Sequence, residues 1–130
     1  MKQDNKKTGN RGEDLAVEYL QKKGYKIEER NFRTRFGEID IVCWNEQTLV
    51  FVEVKTKIGH DFGEPEEMVN KRKMLQVQRI GEVYVEIKKV ENSKTQNGKK
   101  WFGGCRVDVV AVVLKENGEV EKLEHYEAVY

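Results

Sequence analysis

Two strand-forming segments, joined by a turn too short to do anything but reverse the chain, constrain this sequence most. Residues 37–44 and 49–57 are rich in Val, Ile, Phe and Trp, with a polar stretch around Glu46 and Gln47 between them. Such a pair reads as an antiparallel hairpin. With the turn centred between Glu46 and Gln47, one face carries Trp44 opposite Leu49, Val42 opposite Phe51, Asp40 opposite Glu53 and Glu38 opposite Lys55. The other face carries Ile39, Ile41, Cys43, Val50, Val52 and Val54 and is wholly apolar. The first face is therefore apolar near the turn and charged at its far end, because side chains alternate with a period of two.

Directly opposed side chains lie about 4.5–5.5 Å apart at Cβ, and like charges so placed destabilise a sheet. A divalent cation offsets that cost, since carboxylate oxygens are preferred ligands of hard Mg²⁺ or Mn²⁺. The pattern predicts a metal site on Asp40 and Glu53, with Lys55 neutralising part of the remaining charge. The plain alternative is a solvated charge ladder in which Glu38 pairs with Lys55 and Asp40 points to water.

Other elements can be set around the hairpin. Leu15, Ala16, Tyr19 and Leu20 recur at helical spacing, which predicts a helix over 11–23 that ends at Gly24. Glu13 continues its apolar stripe onto the first turn and should point at the sheet. Residues 25–32 alternate like a half-exposed strand. After a loop over 59–66, Val69, Ile80, Val83, Tyr84 and Ile87 define a long helix, with Glu66 and Glu67 at its positive end. Lys73 and Gln76 interrupt that stripe and should face the same cleft. A loop over 90–100, a Val-rich strand over 106–114 and a last strand over 120–129 complete the chain. The order predicts an α/β fold, a mixed five-stranded sheet flanked by helices. Residues 1–9 read as a flexible basic tail and 10–130 as one domain.

The longest apolar run, 109–114, is far below the roughly 20 residues of a membrane-spanning helix. The polar amino terminus lacks a signal-peptide core, and Cys43 and Cys105 stand singly. A cytoplasmic location without a membrane partner follows. Net charge is only +1, but the first 35 residues hold ten Lys/Arg against six Asp/Glu, and residues 116–130 hold one Lys against five Glu. That asymmetry is compatible with a phosphate-bearing partner.

Several motifs carry a resemblance. A carboxylate on one strand, a short turn and then Glu-x-Lys on the next resembles the PD-(D/E)XK nuclease superfamily. More closely, the chain resembles the YraN family through Gly12-Glu13 with Ala16 and Tyr19-Leu20, Arg30-Asn31, Gly37-Glu38-Ile39-Asp40, Phe51-Val52-Glu53-Val54-Lys55, Phe62-Gly63, Lys73 and Asp108-Val109-Val110. Two positions depart from the pattern: Ile39 stands where the superfamily label has proline, and Val107 where an aromatic often precedes Asp108.

The resemblance implies a restriction-endonuclease-like sheet related to archaeal Holliday-junction resolvases. It also implies metal-dependent hydrolysis of DNA phosphodiester bonds, structure-specific as in repair or recombination. On this reading Asp40 and Glu53 hold Mg²⁺ or Mn²⁺ and Glu13 completes the shell. Lys55 orients water or stabilises developing charge, with Glu38, Lys73 and Gln76 in support. Arg30, Arg33, Arg35, Lys71 and Arg72 are candidates for contacts to the nucleic-acid backbone, and a homodimer is expected by analogy with the resolvases. The rival reading is a non-catalytic nucleic-acid-binding module that keeps the nuclease fold.

Overall fold

The computed structural model describes residues 2–59, 70–88 and 103–129, with side chains from residue 9 onward. Helix α1 (Lys2–Lys22) is followed by β1 (Lys26–Thr34), β2 (Gly37–Asn45), β3 (Thr48–Ile58), α2 (Lys71–Lys88), β4 (Gly104–Leu114) and β5 (Val120–Tyr126). The strands form one sheet in the order β1-β2-β3-β4-β5. Pairing is antiparallel throughout except between β3 and β4, which are parallel because α2 lies in the connection between them. This is the mixed α/β architecture that the element order predicts. Backbone helix extends to Lys2, over the stretch that reads from sequence as an aperiodic tail. Glu66, Glu67, Val69, Phe62-Gly63 and the loop over 90–100 lie outside the described residues.

One helix covers each face. Ala16 and Leu20 of α1 pack with Ile41, Cys43, Val50, Val52, Val110 and Val112. Met74, Val77, Ile80 and Tyr84 of α2 pack with Val42, Trp44, Leu49, Phe51, Val107 and Val109. The seam of α2 is thus rotated from the expected stripe: Val83 is half-buried and Ile87 is 60% exposed. Its first turn contains no acidic residue and begins Lys71-Arg72-Lys73, with Asn70 accepting the Lys73 N–H at 3.1 Å as the cap. Among the described residues no helix is long and apolar enough to cross a membrane.

Helix α1 ends in a Schellman motif. Gly24 adopts φ 99°, its N–H bonds the Gln21 carbonyl at 3.0 Å, and the Tyr25 N–H bonds Leu20 at 2.9 Å. The other end of α1 needs glycine for a different reason. A Cβ on Gly12 would collide with the Thr56 side chain of β3, so the helix lies against the strand at a distance only glycine permits. Gly12→Ala is expected to cost about 1–3 kcal/mol in urea denaturation. In a Thr56→Gly background the same change should cost nothing further, because alanine is the better helix former. A full loss persisting in that background would place its cause elsewhere.

Candidate functional site

The expected β2–β3 register holds from Asn45–Thr48 to Ile41–Val52, and there the ladder stops. The reason is a change of face that strict alternation does not anticipate. Ile39 packs on the α2 side and Ile41 on the α1 side, although they are two residues apart. Strand β1 makes the same change: Arg30, paired with Ile41, reaches α1, whereas Phe32, paired with Ile39, packs 4.9 Å from the ring of Tyr84 on α2. Asn31, the residue between Arg30 and Phe32, takes the left-handed φ of 57°, a conformation that asparagine tolerates better than most residues. The placement of Ile39 on the α1-side face is corrected accordingly.

Asp40 sits at this kink. Its Oδ2 accepts the Val54 N–H at 2.8 Å, so a side-chain carboxylate takes the place of a strand carbonyl where the β2–β3 ladder stops. Burial, then the neighbouring Glu53 charge, push the Asp40 carboxyl up to about 7, with Glu13 and Glu38 adding to the shift and the Val54 N–H opposing it. Glu53 is 7% exposed on the α2 face. Its Oε2 lies 3.3 Å from Lys55 Nζ and 3.9 Å from Lys73 Nζ, which brings Lys73 to the cleft as expected.

Glu13 is 8% exposed on α1. It accepts hydrogen bonds from Arg30 Nε at 3.0 Å and from Asn31 Nδ2 at 3.1 Å. Arg30 also bonds Asp14 at 2.7 Å, so its guanidinium serves carboxylates and fixes Glu13 beside the kink. Glu38 does not oppose Lys55. It pairs with exposed Arg33 at 3.0 Å, because the strands part before their positions can meet. Gln76 turns away from the cleft and donates to the Phe36 carbonyl at 2.6 Å, bracing the β1–β2 turn. Arg35 lies 4.9 Å over the Phe36 ring, and Lys71 and Arg72 are exposed on the first turn of α2.

Two features were not anticipated from sequence. Lys57 is 5% exposed and its Nζ has no hydrogen-bond partner among the described residues. Thr56 meets α1, so alternation puts Lys57 on the α2 face with Glu53 and Lys55, and that count along β3 was the available signal. The second is a polar network at β4 and β5 around Asp108, which is 0% exposed. Its signal was a lone acid inside a Val-rich strand.

Among the described residues no three acidic, histidine or cysteine side chains gather closely enough to form a preformed metal cage. What the arrangement fits is a cation held by one or two carboxylates and otherwise by water or substrate phosphate. That is the habit of Mg²⁺, in contrast to the closed four-ligand shell of structural Zn²⁺. Asp40 and Glu53 are the residues that could supply it; burial and then the Glu53 charge disfavour the bare Asp40 carboxylate, a cost that a positive partner would offset.

Residues 12–112, which hold every residue of this site, match the model of the uncharacterised protein family UPF0102. The UPF0102 protein of Alkaliphilus oremlandii is 42% identical over 123 residues, covering 95% of this chain and 97% of the relative. That of Syntrophomonas wolfei is 40% identical over 121 residues, covering 93% and 95%, and that of Dictyoglomus turgidum is 38% identical over 121 residues, covering 93% and 94%. Kinked sheet edge, paired carboxylates and lysines therefore sit in a chain that belongs to the UPF0102 family, the family called YraN in the motif resemblance.

Proposed function

We propose that this chain is a metal-dependent nuclease that hydrolyses phosphodiester bonds in DNA, with Asp40 and Glu53 holding Mg²⁺ or Mn²⁺. The observation that carries the reading is the meeting of these two carboxylates where the β2–β3 ladder stops, with Lys55 and Lys73 on Glu53. A divalent cation bound there supplies Lewis-acid stabilisation of the charge that develops on the phosphate. Lys55 presents an ammonium beside the same carboxylates, where it orients water and stabilises negative charge. Glu13, clamped by Arg30 and Asn31, adds negative potential that favours the cation. Lys71 and Arg72 offer phosphate contacts that position the backbone without reading bases.

The test is cleavage of single-stranded, duplex, flap and four-way-junction DNA with Mg²⁺ or Mn²⁺. Asp40→Ala and Glu53→Ala should each lower the rate by at least about 100-fold, and chelation should stop the wild type. Equal cleavage by wild type and variants would mean a contaminating enzyme and overturn the assignment. Salt-sensitive DNA binding that ignores both substitutions, with no cleavage, would favour a non-catalytic binding module.

A further inference from the structure

The side of α2 next to the β1–β2 turn and the turn itself enclose an open groove of about 640 Å³ whose inner wall reaches Ile80 of the α2-side core. Leu75, Ile80, Val83 and Phe36 form its apolar floor, and Arg72 and Arg79 line it. Phe36 is 60% exposed, unusual for a large aromatic on a rigid turn, and its backbone is held at both ends. Its N–H bonds Thr34 Oγ1 at 3.0 Å and its carbonyl accepts from Gln76 at 2.6 Å. The ring is therefore presented to solvent by a fixed scaffold, with the Arg35 guanidinium 4.9 Å from its centroid.

Among the described residues no carboxylate lines the groove, and Arg72 and Arg79 make no ion pair there. An exposed aromatic ring with Arg35 on it and two further guanidinium groups nearby matches the chemistry of unpaired nucleic acid. Bases stack on the ring without sequence preference, and phosphates meet the cations. A duplex cannot use the ring, because its bases are already stacked. The groove volume is also in the range of sites that enclose a nucleoside-sized ligand. Arg72 of the groove and Lys73, which reaches Glu53, are consecutive residues on the first turn of α2.

We propose that this groove binds a single-stranded segment of nucleic acid, with a base stacked on Phe36 and phosphates on Arg72 and Arg79. The inference deepens the nuclease reading and rests on it for the identity of the ligand, yet binding can be measured without cleavage. Anisotropy of a labelled 12-mer oligothymidine, in about 50 mM salt with EDTA to prevent cutting, is compared with a blunt duplex of equal length. The single strand should bind more tightly. Phe36→Ala should weaken it about 5- to 100-fold and leave duplex binding unchanged, whereas Phe36→Trp should preserve it. Arg72→Ala and Arg79→Ala should weaken binding and flatten its salt dependence. Melting curves show whether each variant is folded.

Unchanged oligonucleotide affinity in folded Phe36→Ala would overturn the groove assignment while leaving cleavage at Asp40 and Glu53 to stand. Phe36-dependent binding without cleavage on any substrate would support the groove and count against the nuclease. A Phe36-dependent dimer in sedimentation that excludes the oligonucleotide would assign the groove to a second copy and overturn the proposal.

Discussion

At pH 8 without divalent cations, Asp40→Asn is expected to melt about 10 °C above the wild type, although on the proposed function the same substitution should remove metal binding. The sign follows from the raised carboxyl. Asp40 titrates at about 7 in the folded chain and near the usual 3.8 when unfolded, so folding favours its neutral form. That stability is complete below about pH 4 and is lost as pH rises through 7. An Asn is neutral throughout and can still accept the Val54 N–H. Above pH 7 the gain is on the order of 2–4 kcal/mol, set by how far the folded carboxyl stands above its unfolded value. Near pH 5 the difference should fall to less than half, and below about pH 4 it should vanish. Added Mg²⁺ should stabilise the wild type and leave Asp40→Asn where it is. Thermal melts across pH, with and without Mg²⁺, test both statements; coincident curves at pH 8, or equal stabilisation of both proteins by Mg²⁺, would refute the picture of an anionic site waiting for a cation.

The opposite outcome is expected at Asp108. Burial alone would raise its carboxyl, but hydrogen bonds from His125, Arg106 and the Ala128 N–H outweigh burial and hold it below the ordinary carboxylate range. His125 Nε2 lies 2.7 Å from Oδ2, while Arg106 Nε and Ala128 N lie 3.0 and 2.9 Å from Oδ1. Lys23 Nζ sits 3.0 Å from His125 Nδ1; as a donor it makes Nδ1 the acceptor and leaves Nε2–H to face Asp108. Arg106 continues to the Tyr25 hydroxyl at 2.6 Å and to Glu127 at 3.0 Å. The network thereby ties β4 to β5, to the chain after β5 and to the end of α1.

Removing the carboxylate leaves the buried His125 imidazole without its acceptor and the half-buried Arg106 guanidinium with only Tyr25 and Glu127. Asp108→Ala should cost about 3–5 kcal/mol, a fall in melting temperature of about 10–20 °C. The folded carboxyl titrates lower than the unfolded one, so its contribution is present above about pH 4 and lost as pH falls further. Wild type should therefore show an acid-sensitive component that Asp108→Ala lacks. A variant melting within about 2 °C of wild type would show that the network is not structural.

Sheet order near the β2–β3 turn is legible from sequence because a short turn and period-two alternation determine it together. From Trp44–Leu49 to Ile41–Val52 nothing competes with them. Legibility fails at Asn31 and Asp40, where two strands change face at once and each alternation, taken alone, runs smoothly past the kink. The α2 seam fails for another reason. The helix carries apolar residues on two lines, Met74-Val77-Ile80-Tyr84 and Val83-Ile87, and only the sheet beneath it selects the first. The unselected side then contributes Val83 and Leu75 to the groove. Asp40, Glu53, Lys55, Glu13 and Lys73 were readable as polar residues at positions where the apolar pattern required an inward direction. Lys57 and Asp108 were equally inward, but their neighbours in space come from distant parts of the chain.

The single parallel pairing, β3 with β4, also implies an order of assembly. β1, β2 and β3 form a meander of neighbours, and local contacts of this kind close early because little loop entropy is lost. Asp40 and Glu53 both lie in that meander, so their mutual repulsion arises in the first structure to form. Lys55 arrives with them, whereas Lys73 comes only with α2 and the long crossover that delivers β4. A nascent chain would thus hold its acidic pair before the Lys73 ammonium is in place, a stage at which, on the proposed function, a free divalent cation would serve as a folding ligand.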